Sequence, residues 1–440
     1  MARGWLRGPG SGAAALAALL AGAGLAAAGF FRDRPPLYFA GSALALAGTA
    51  WLSWLAFERD ARVRGFALNT LACAILGLHG IDAFLALGPS QAPGARVPAY
   101  SFAAAEGNPA AARAWWDAYL GEWLRAERQF MRRSESGYSR YRLVPGARAR
   151  FFGSEVRINA LGFRGPEISR EKGGAFRIVA LGESSTFGVT LTPQDRPWPE
   201  LLEARLSELG CGARFEVVNA GVPAWTLADN LARLRRDVLP LEPDLVLSYH
   251  GYNALHWLSE DLPEIDTGPP AMPPSRPSRL LARVEASLWR SVARRSFEGA
   301  RLAARRLGDA ELLETRYARV YRMLARALER ARVPLVLASF NMAVNERSPE
   351  AVIRFYEGAF PDARTRIVAN ALHNRMLPQL ASPPAVRFAD SSPGMDGHYE
   401  DAFVDLIHLT QTGRERLSAN LVEALRPSLL AAVRARCAAR

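Results

Sequence analysis

Between Phe176 and Gly188 an apolar run, Phe176-Arg177-Ile178-Val179-Ala180-Leu181, breaks at Gly182 into a cluster of hydroxyls, Glu183-Ser184-Ser185-Thr186. The run reads as a buried strand, and a strand that ends in a serine turn is where an α/β sheet puts a nucleophile at its carboxyl edge. Backbone N–H groups at the start of the following helix point toward any negative charge that develops beside that serine. Taken alone, the same turn also suits a serine that only caps a helix.

Three further blocks follow in order. Phe215-Glu216-Val217-Val218-Asn219-Ala220-Gly221 is a second apolar run ending in glycine, and Asp244-Leu245-Val246-Leu247-Ser248-Tyr249-His250-Gly251-Tyr252-Asn253 is a third ending in Gly-x-Asn. Asp405-Leu406-Ile407-His408 comes near the C-terminus. Together the four blocks resemble those of the SGNH (GDSL-type) hydrolase family: Gly-Asp-Ser, a Gly, Gly-x-Asn-Asp and Asp-x-x-His. The resemblance runs from about Asn159 to about Leu425. It includes an approach segment, Asn159-Ala160-Leu161-Gly162-Phe163-Arg164-Gly165, similar to those of many bacterial members. Glu183 stands where the family usually has Asp, and Ala254 where it has the second acid of the third block.

From Glu171 onward the chain alternates strands and helices, which argues for a parallel sheet with helices on both faces. Val333-Pro334-Leu335-Val336-Leu337-Ala338-Ser339-Phe340 and Ala385-Val386-Arg387-Phe388-Ala389-Asp390 complete five strands, Pro197 to Leu209 reads as a crossover helix, and Thr410 caps a last helix that ends before Pro427. A flavodoxin-like three-layer αβα domain with a five-stranded parallel sheet, residues 171–435, is expected, as the resemblance also implies. Within it, residues 258–332 read as a Pro-rich and then Arg-rich helical insertion, a candidate substrate-selecting lid or a solvated decoration. Residues 91–170 read as a juxtamembrane connecting segment. Trp115, Trp116, Tyr119 and Trp123 fall at spacings that place several on one helix face, suited to packing on the globular domain or to resting among lipid headgroups.

Residues 1–90 carry three long, mostly apolar runs, Gly12 to Phe31, Pro36 to Phe57 and Gly65 to Gly88, separated by charged clusters. Each is about long enough to cross ~30 Å of hydrocarbon at ~1.5 Å per residue, so three transmembrane helices are expected before the α/β domain. Arg3, Arg7, Arg59, Arg62 and Arg64 would share one side, against Arg32, Arg34 and Arg96 on the other. That bias puts the N-terminus in the cytoplasm of a bacterium and the hydrolase domain on the periplasmic or extracellular side of the cytoplasmic membrane. Reading the first run as a signal peptide cleaved near Ala26-Ala27-Ala28 exports the domain too.

A formal net charge of +12 raises the question of nucleic acid, but Lys172 is the only lysine and the arginines are scattered through helical sequence rather than gathered in one basic block. Nucleic acid is therefore not an expected partner. The lipid bilayer and an acylated glycan or lipid are. Cys73, Cys211 and Cys437 are too few and too dispersed for a disulfide framework or a zinc site, and no cofactor or metal is expected.

Ester cleavage needs a nucleophile, a base, a group that orients the base, and donors for the oxyanion. By the resemblance, Ser184 attacks the carbonyl, His408 takes the proton and returns it to the leaving alcohol, and Asp405 fixes the imidazole tautomer. The N–H groups of Ser184 and Gly221 and the side-chain amide of Asn253 make the oxyanion hole. Ser185 is the alternative nucleophile, although the family frame places the reactive serine two residues after Gly182. His250 and His256 read as satisfied polar residues beside a strand end. A membrane-anchored serine esterase is the expected function. An O-acyltransferase would use the same triad, and a catalytically silent envelope assembly module would not need it.

Overall fold

The computed structural model describes residues 14–22, 44–45, 47–52, 99–108, parts of 115–130, 131–133, 141–189, 196–208, 214–259 and 307–438. It divides into two compact units, residues 1–90 with 271–291 and residues 91–270 with 292–440.

In the first unit, residues 14–22 and most of 44–52 are helical. A Cβ on Gly48 would lie 2.5 Å from Leu19 N and 2.9 Å from Ala15 O, so these two pieces meet backbone to backbone where only glycine fits. Thr49 turns its hydroxyl back onto Ala45 O at 2.8 Å, and Leu16, Leu20 and Leu44 are exposed. Among the described residues no helix is long and apolar enough to cross a membrane. Apart from these two pieces, the three expected spans and the first residues of the connecting segment, 91–98, lie outside the described residues.

The second unit is built on five parallel strands: β5 (Phe176–Gly182), β6 (Phe215–Gly221), β7 (Leu245–Tyr249), β8 (Leu335–Ala338) and β9 (Val386–Ala389). Their order in the sheet is β6-β5-β7-β8-β9. Every residue of β5, β7 and β8 is buried, as expected of parallel strands covered on both faces, which read as unbroken apolar runs rather than as alternations. The chain leaves β5 in one direction and, after β6, returns past it to β7. With right-handed crossovers the connecting helices then fall on opposite faces. Helix Trp198–Glu208 packs with the terminal helix Gln411–Ala438, and helix Leu227–Arg233 with helix Arg316–Arg330. The reversal between β5 and β7 is the switch point at which such sheets place their sites.

Two sequence expectations differ from this structure. The last helix, capped by Thr410 Oγ1 accepting from Gly413 N at 3.0 Å, continues through Pro427 to Ala438. Proline forfeits a single N–H donor, and Ala- and Leu-rich sequence carries the helix on. Within the stretch taken as an insertion, residues 260–306 lie outside the described residues, and helix Arg316–Arg330 is a crossover helix whose Tyr317, Ala318, Tyr321, Leu324 and Leu328 are all buried.

The described part of the segment ahead of the sheet belongs to the same hydrophobic core. Short strands β1 (Met131–Arg133) and β2 (Tyr141–Leu143) pair antiparallel, as do β3 (Arg148–Phe151) and β4 (Ser154–Arg157). The β3–β4 turn places Phe152 at φ 51° and Gly153 at φ 79°, the positive pair that a two-residue hairpin turn demands. A phenylalanine there costs about 1–2 kcal/mol of backbone strain. The cost is offset by Phe152 N–H donating to Glu122 Oε2 at 2.8 Å and by its ring lying 5.2 Å from Tyr119. Trp115, Tyr119 and Trp123 are buried, so these three pack within the protein and are not headgroup anchors, while Trp116 lies outside the described residues.

Trp115 lies 4.7 Å from Tyr119 and 5.5 Å from both Tyr100 and Phe360, ring centre to ring centre. Trp115→Ala should cost about 3–5 kcal/mol, the usual cost of truncating a buried tryptophan, read as a lower denaturant midpoint of the purified chain. An unchanged midpoint would contradict this packing.

Candidate active site

β5 ends at Gly182, and the chain turns at once into a single helical turn, Ser184–Phe187. Glycine is obligatory at the bend: a Cβ would sit 2.0 Å from Thr186 Oγ1 and 2.9 Å from Tyr249 O. The turn brings Ser184 to the carboxyl edge of the sheet beside the switch point.

The Ser184 hydroxyl lies 2.8 Å from His408 Nε2, and His408 Nδ1 lies 2.7 Å from Asp405 Oδ2. All three residues are nearly inaccessible, with Ser184 6 %, His408 3 % and Asp405 0 % exposed. Asp405 Oδ1 accepts from the backbone N–H groups of Ile407 and His408 at 2.9 and 2.8 Å. The carboxylate is thereby fixed from one side and presents its other oxygen to the imidazole. With Nδ1 donating to Asp405, Nε2 is left as the acceptor that the serine proton requires. The loop is pinned in turn: Val404 N donates to His408 O at 2.8 Å and Tyr100 N to Val404 O at 2.6 Å. Ser185 instead donates to Ile407 O at 3.1 Å. Of the two serines, one faces the base and its neighbour holds the loop that carries the base.

Asn253 follows β7, and its Nδ2 donates to Trp225 O at 2.8 Å, which orients the amide. Its backbone N–H donates to Glu183 Oε2 at 3.1 Å, and Gly251 N donates to Glu183 Oε1 at 3.4 Å. Glu183 therefore joins the nucleophile turn to the asparagine loop. Burial pushes its carboxyl up to about 8 despite those two donors. The Ser184 N–H, first of its helix, has no protein partner among the described residues.

Gly221 is placed differently from expectation. Its N–H already donates to Asn219 Oδ1 at 3.0 Å, which occupies it as an oxyanion donor. Its missing Cβ is needed instead by the nucleophile turn, because a Cβ would lie 2.2 Å from Phe187 N. Sequence reasoning missed Ala224, the bend of the same loop at φ 64°, whose N–H has no partner among the described residues. A glycine at that position would have given the bend away; an alanine does not.

The other candidate groups are structural. His250 is fully buried, with Nδ1 2.8 Å from Ser248 Oγ and Nε2 2.9 Å from Asn230 Nδ2, and burial lowers its pKa to about 3. Among the described residues no three His, Cys, Asp or Glu side chains could together hold a metal ion. Tyr119, whose ring centre lies 6.2 Å from that of His408, was not singled out by sequence as a neighbour of the site. Burial and the Asp405 charge both raise its phenol pKa, which keeps it neutral there.

The arrangement is a nucleophile, base and orienting acid in one hydrogen-bonded line, next to an N–H at a helix start and an oriented amide. This is acyl-transfer chemistry. No curated protein matches the chain. Solved structures similar to it include a lipase/acylhydrolase from Enterococcus faecalis, 18% identical over 57% of this chain and 96% of that one, TM-score 0.32. A family 3 carbohydrate esterase from Clostridium thermocellum is 15% identical over 59% and 99%, TM-score 0.34. A lipolytic protein of the G-D-S-L family from Desulfitobacterium hafniense is 14% identical over 57% and 99%, TM-score 0.32. The model of the GDSL-like lipase/acylhydrolase family matches residues 180–416, more than half of the chain and the whole stretch from Ser184 to His408, and the chain belongs to that family of ester-hydrolysing enzymes.

Proposed function

We propose that the protein is a membrane-anchored serine esterase that removes acyl or acetyl groups from an envelope glycan or lipid. The observation that carries the reading is the unbroken line from Ser184 Oγ through the His408 imidazole to the buried Asp405 carboxylate. As Ser184 attacks, its proton passes to His408 Nε2, and Asp405 stabilises the imidazolium that forms. The Ser184 and Ala224 N–H groups and the side-chain amide of Asn253 receive the oxyanion. Collapse of the tetrahedral intermediate expels the alcohol with the proton from Nε2, and water repeats the sequence to free the acid.

The anchor rests on the three apolar runs and on the glycine-mediated contact of residues 14–22 with 44–52, since small residues let helix backbones approach in lipid. An acyltransferase would use the same triad, with a sugar hydroxyl in place of water at the acyl-enzyme, and would differ in how well the site excludes water.

Ser184→Ala should reduce hydrolysis of a short acetyl ester to background, whereas Ser185→Ala should keep most of it. Asn253→Ala should lose about 10²- to 10³-fold in kcat, the usual cost of one oxyanion donor. Full activity in Ser184→Ala would sink the reading. A sugar acceptor that diverts the acyl group faster than water would establish the transferase instead.

Sidedness is tested by fusing reporters after Arg440. One that works only outside the cytoplasm should be active, and one that works only inside should be silent. The reverse result would exclude an envelope substrate.

Glu183 adds a pH dependence. Its folded pKa of about 8 lies above the ordinary 4.5, so the folded state keeps a proton that the unfolded chain gives up. That contribution is fully present below about pH 4.5 and is lost as pH rises through about 8. The Tm of the wild type should therefore fall more between pH 5 and pH 8.5 than that of Glu183→Gln, whose side chain cannot ionise. Parallel curves would show that Glu183 does not titrate in this range.

A further inference from the structure

The nucleophile sits on a helix of one turn, and such a helix leaves its last carbonyls without intrahelical partners. Its own bonds are Phe187 N to Glu183 O at 2.9 Å and Gly188 N to Ser184 O at 2.9 Å. The carbonyls of Thr186, Phe187 and Gly188 are taken up from outside. Asn219 Nδ2 donates to Thr186 O at 2.9 Å. The Arg164 guanidinium donates through Nη1 to Phe187 O and, at 3.0 Å, to Gly188 O, with its carbon 4.6 Å above the Phe187 ring.

Arg164 is itself fixed. It is buried, its backbone forms an antiparallel bridge with Asn219, and the preceding turn is closed by Asn159 Oδ1, which accepts from Leu161 N and Phe163 N at 3.0 Å each. Its charge lies at the negative end of the turn's dipole, where a cation is favoured. Burial lowers its pKa to about 10, so it remains a cation at neutral pH. The segment lies upstream of residues 180–416, the part of the chain that matches the family.

We propose that Arg164 is a positioning residue for Ser184: by holding the two carbonyls at the far end of the nucleophile turn it sets the distance from Ser184 Oγ to His408 Nε2. This rests on the esterase reading. One helical turn is about 5.4 Å long, so a shift at its C-terminal end reaches Ser184 with little attenuation. Displacements of about 1 Å in a catalytic group cost on the order of 10²-fold in rate. A lysine keeps the charge but lacks the planar fork that meets two carbonyls at once.

The test compares the full chain with Arg164→Gln and Arg164→Lys. Values of kcat and KM for a short acetyl ester are normalised to sites titrated by a fluorophosphonate, and amide hydrogen exchange is followed over residues 183–189. The Gln variant should lose about 10- to 100-fold in kcat per titrated site with KM within about 3-fold, and the Lys variant should fall between it and wild type. Exchange over 183–189 should quicken in both variants, with β7 unchanged. A lower Tm with kcat per site and exchange over 183–189 as in wild type would overturn the proposal and leave Arg164 a general stabiliser. If the wild type hydrolyses no ester, the esterase reading fails, and the exchange measurement alone decides whether Arg164 holds the turn.

Discussion

Four residues of helix cannot hold their own ends, and the chemistry of this protein depends on the groups that do it for them. The turn after β5 carries Ser184 at its start, and its closing carbonyls are held by Arg164 and Asn219. Glycines at 182 and 221 are required because the end of β5 lies against Thr186 and Tyr249 O and the end of β6 lies against the backbone of Phe187. The reactive hydroxyl is held, buried, at the sheet edge by a turn that both flanking backbones approach within contact.

The same economy organises the rest of the site. Ser185 fixes the loop of His408, Glu183 fixes the loop of Asn253, and Ser184 faces the base. Three consecutive residues thus join three parts of the chain that lie far apart in sequence. Burial raises the cost of every such bond left unmade, since a buried polar group without a partner costs about 1–3 kcal/mol. It also strengthens those that are made, and the Asp405 carboxylate, fully buried with three donors around it, is held for one task. The upstream segment is part of this construction: Tyr119 stands beside His408, and Tyr100 N holds Val404 O next to Asp405.

Much of this could be read from the sequence, for physical reasons that also explain where reading failed. The five strands were legible because parallel strands covered on both faces are unbroken apolar runs, whereas their order in the sheet is set by long-range pairing that no local pattern carries. That Ser184, Asp405 and His408 come together was legible because each sits in a short local block at an element boundary. Gly221 was misread because a glycine at a strand end can serve a donor or a close contact, and only the 2.2 Å approach to Phe187 N tells them apart. Ala224 was invisible because its positive φ is imposed by the loop, not by its residue type. The helix Arg316–Arg330 looked like decoration because its charged face dominates the composition, although its tyrosine and leucine stripe is core. Arg164 stood within a noted segment, but no local pattern says that its guanidinium will reach residues 187 and 188.

The central claim is that Ser184, activated by His408 and Asp405, forms the acyl-enzyme. The most direct measurement is to trap that bond: react the purified protein with a fluorophosphonate, digest it, and locate the adduct by mass spectrometry in wild type and in His408→Ala. The account predicts a single adduct on Ser184 that forms at least about 10²-fold more slowly without His408, the lower range of what a positioned general base contributes. An adduct on Ser185, or one on Ser184 whose rate ignores His408, would contradict it.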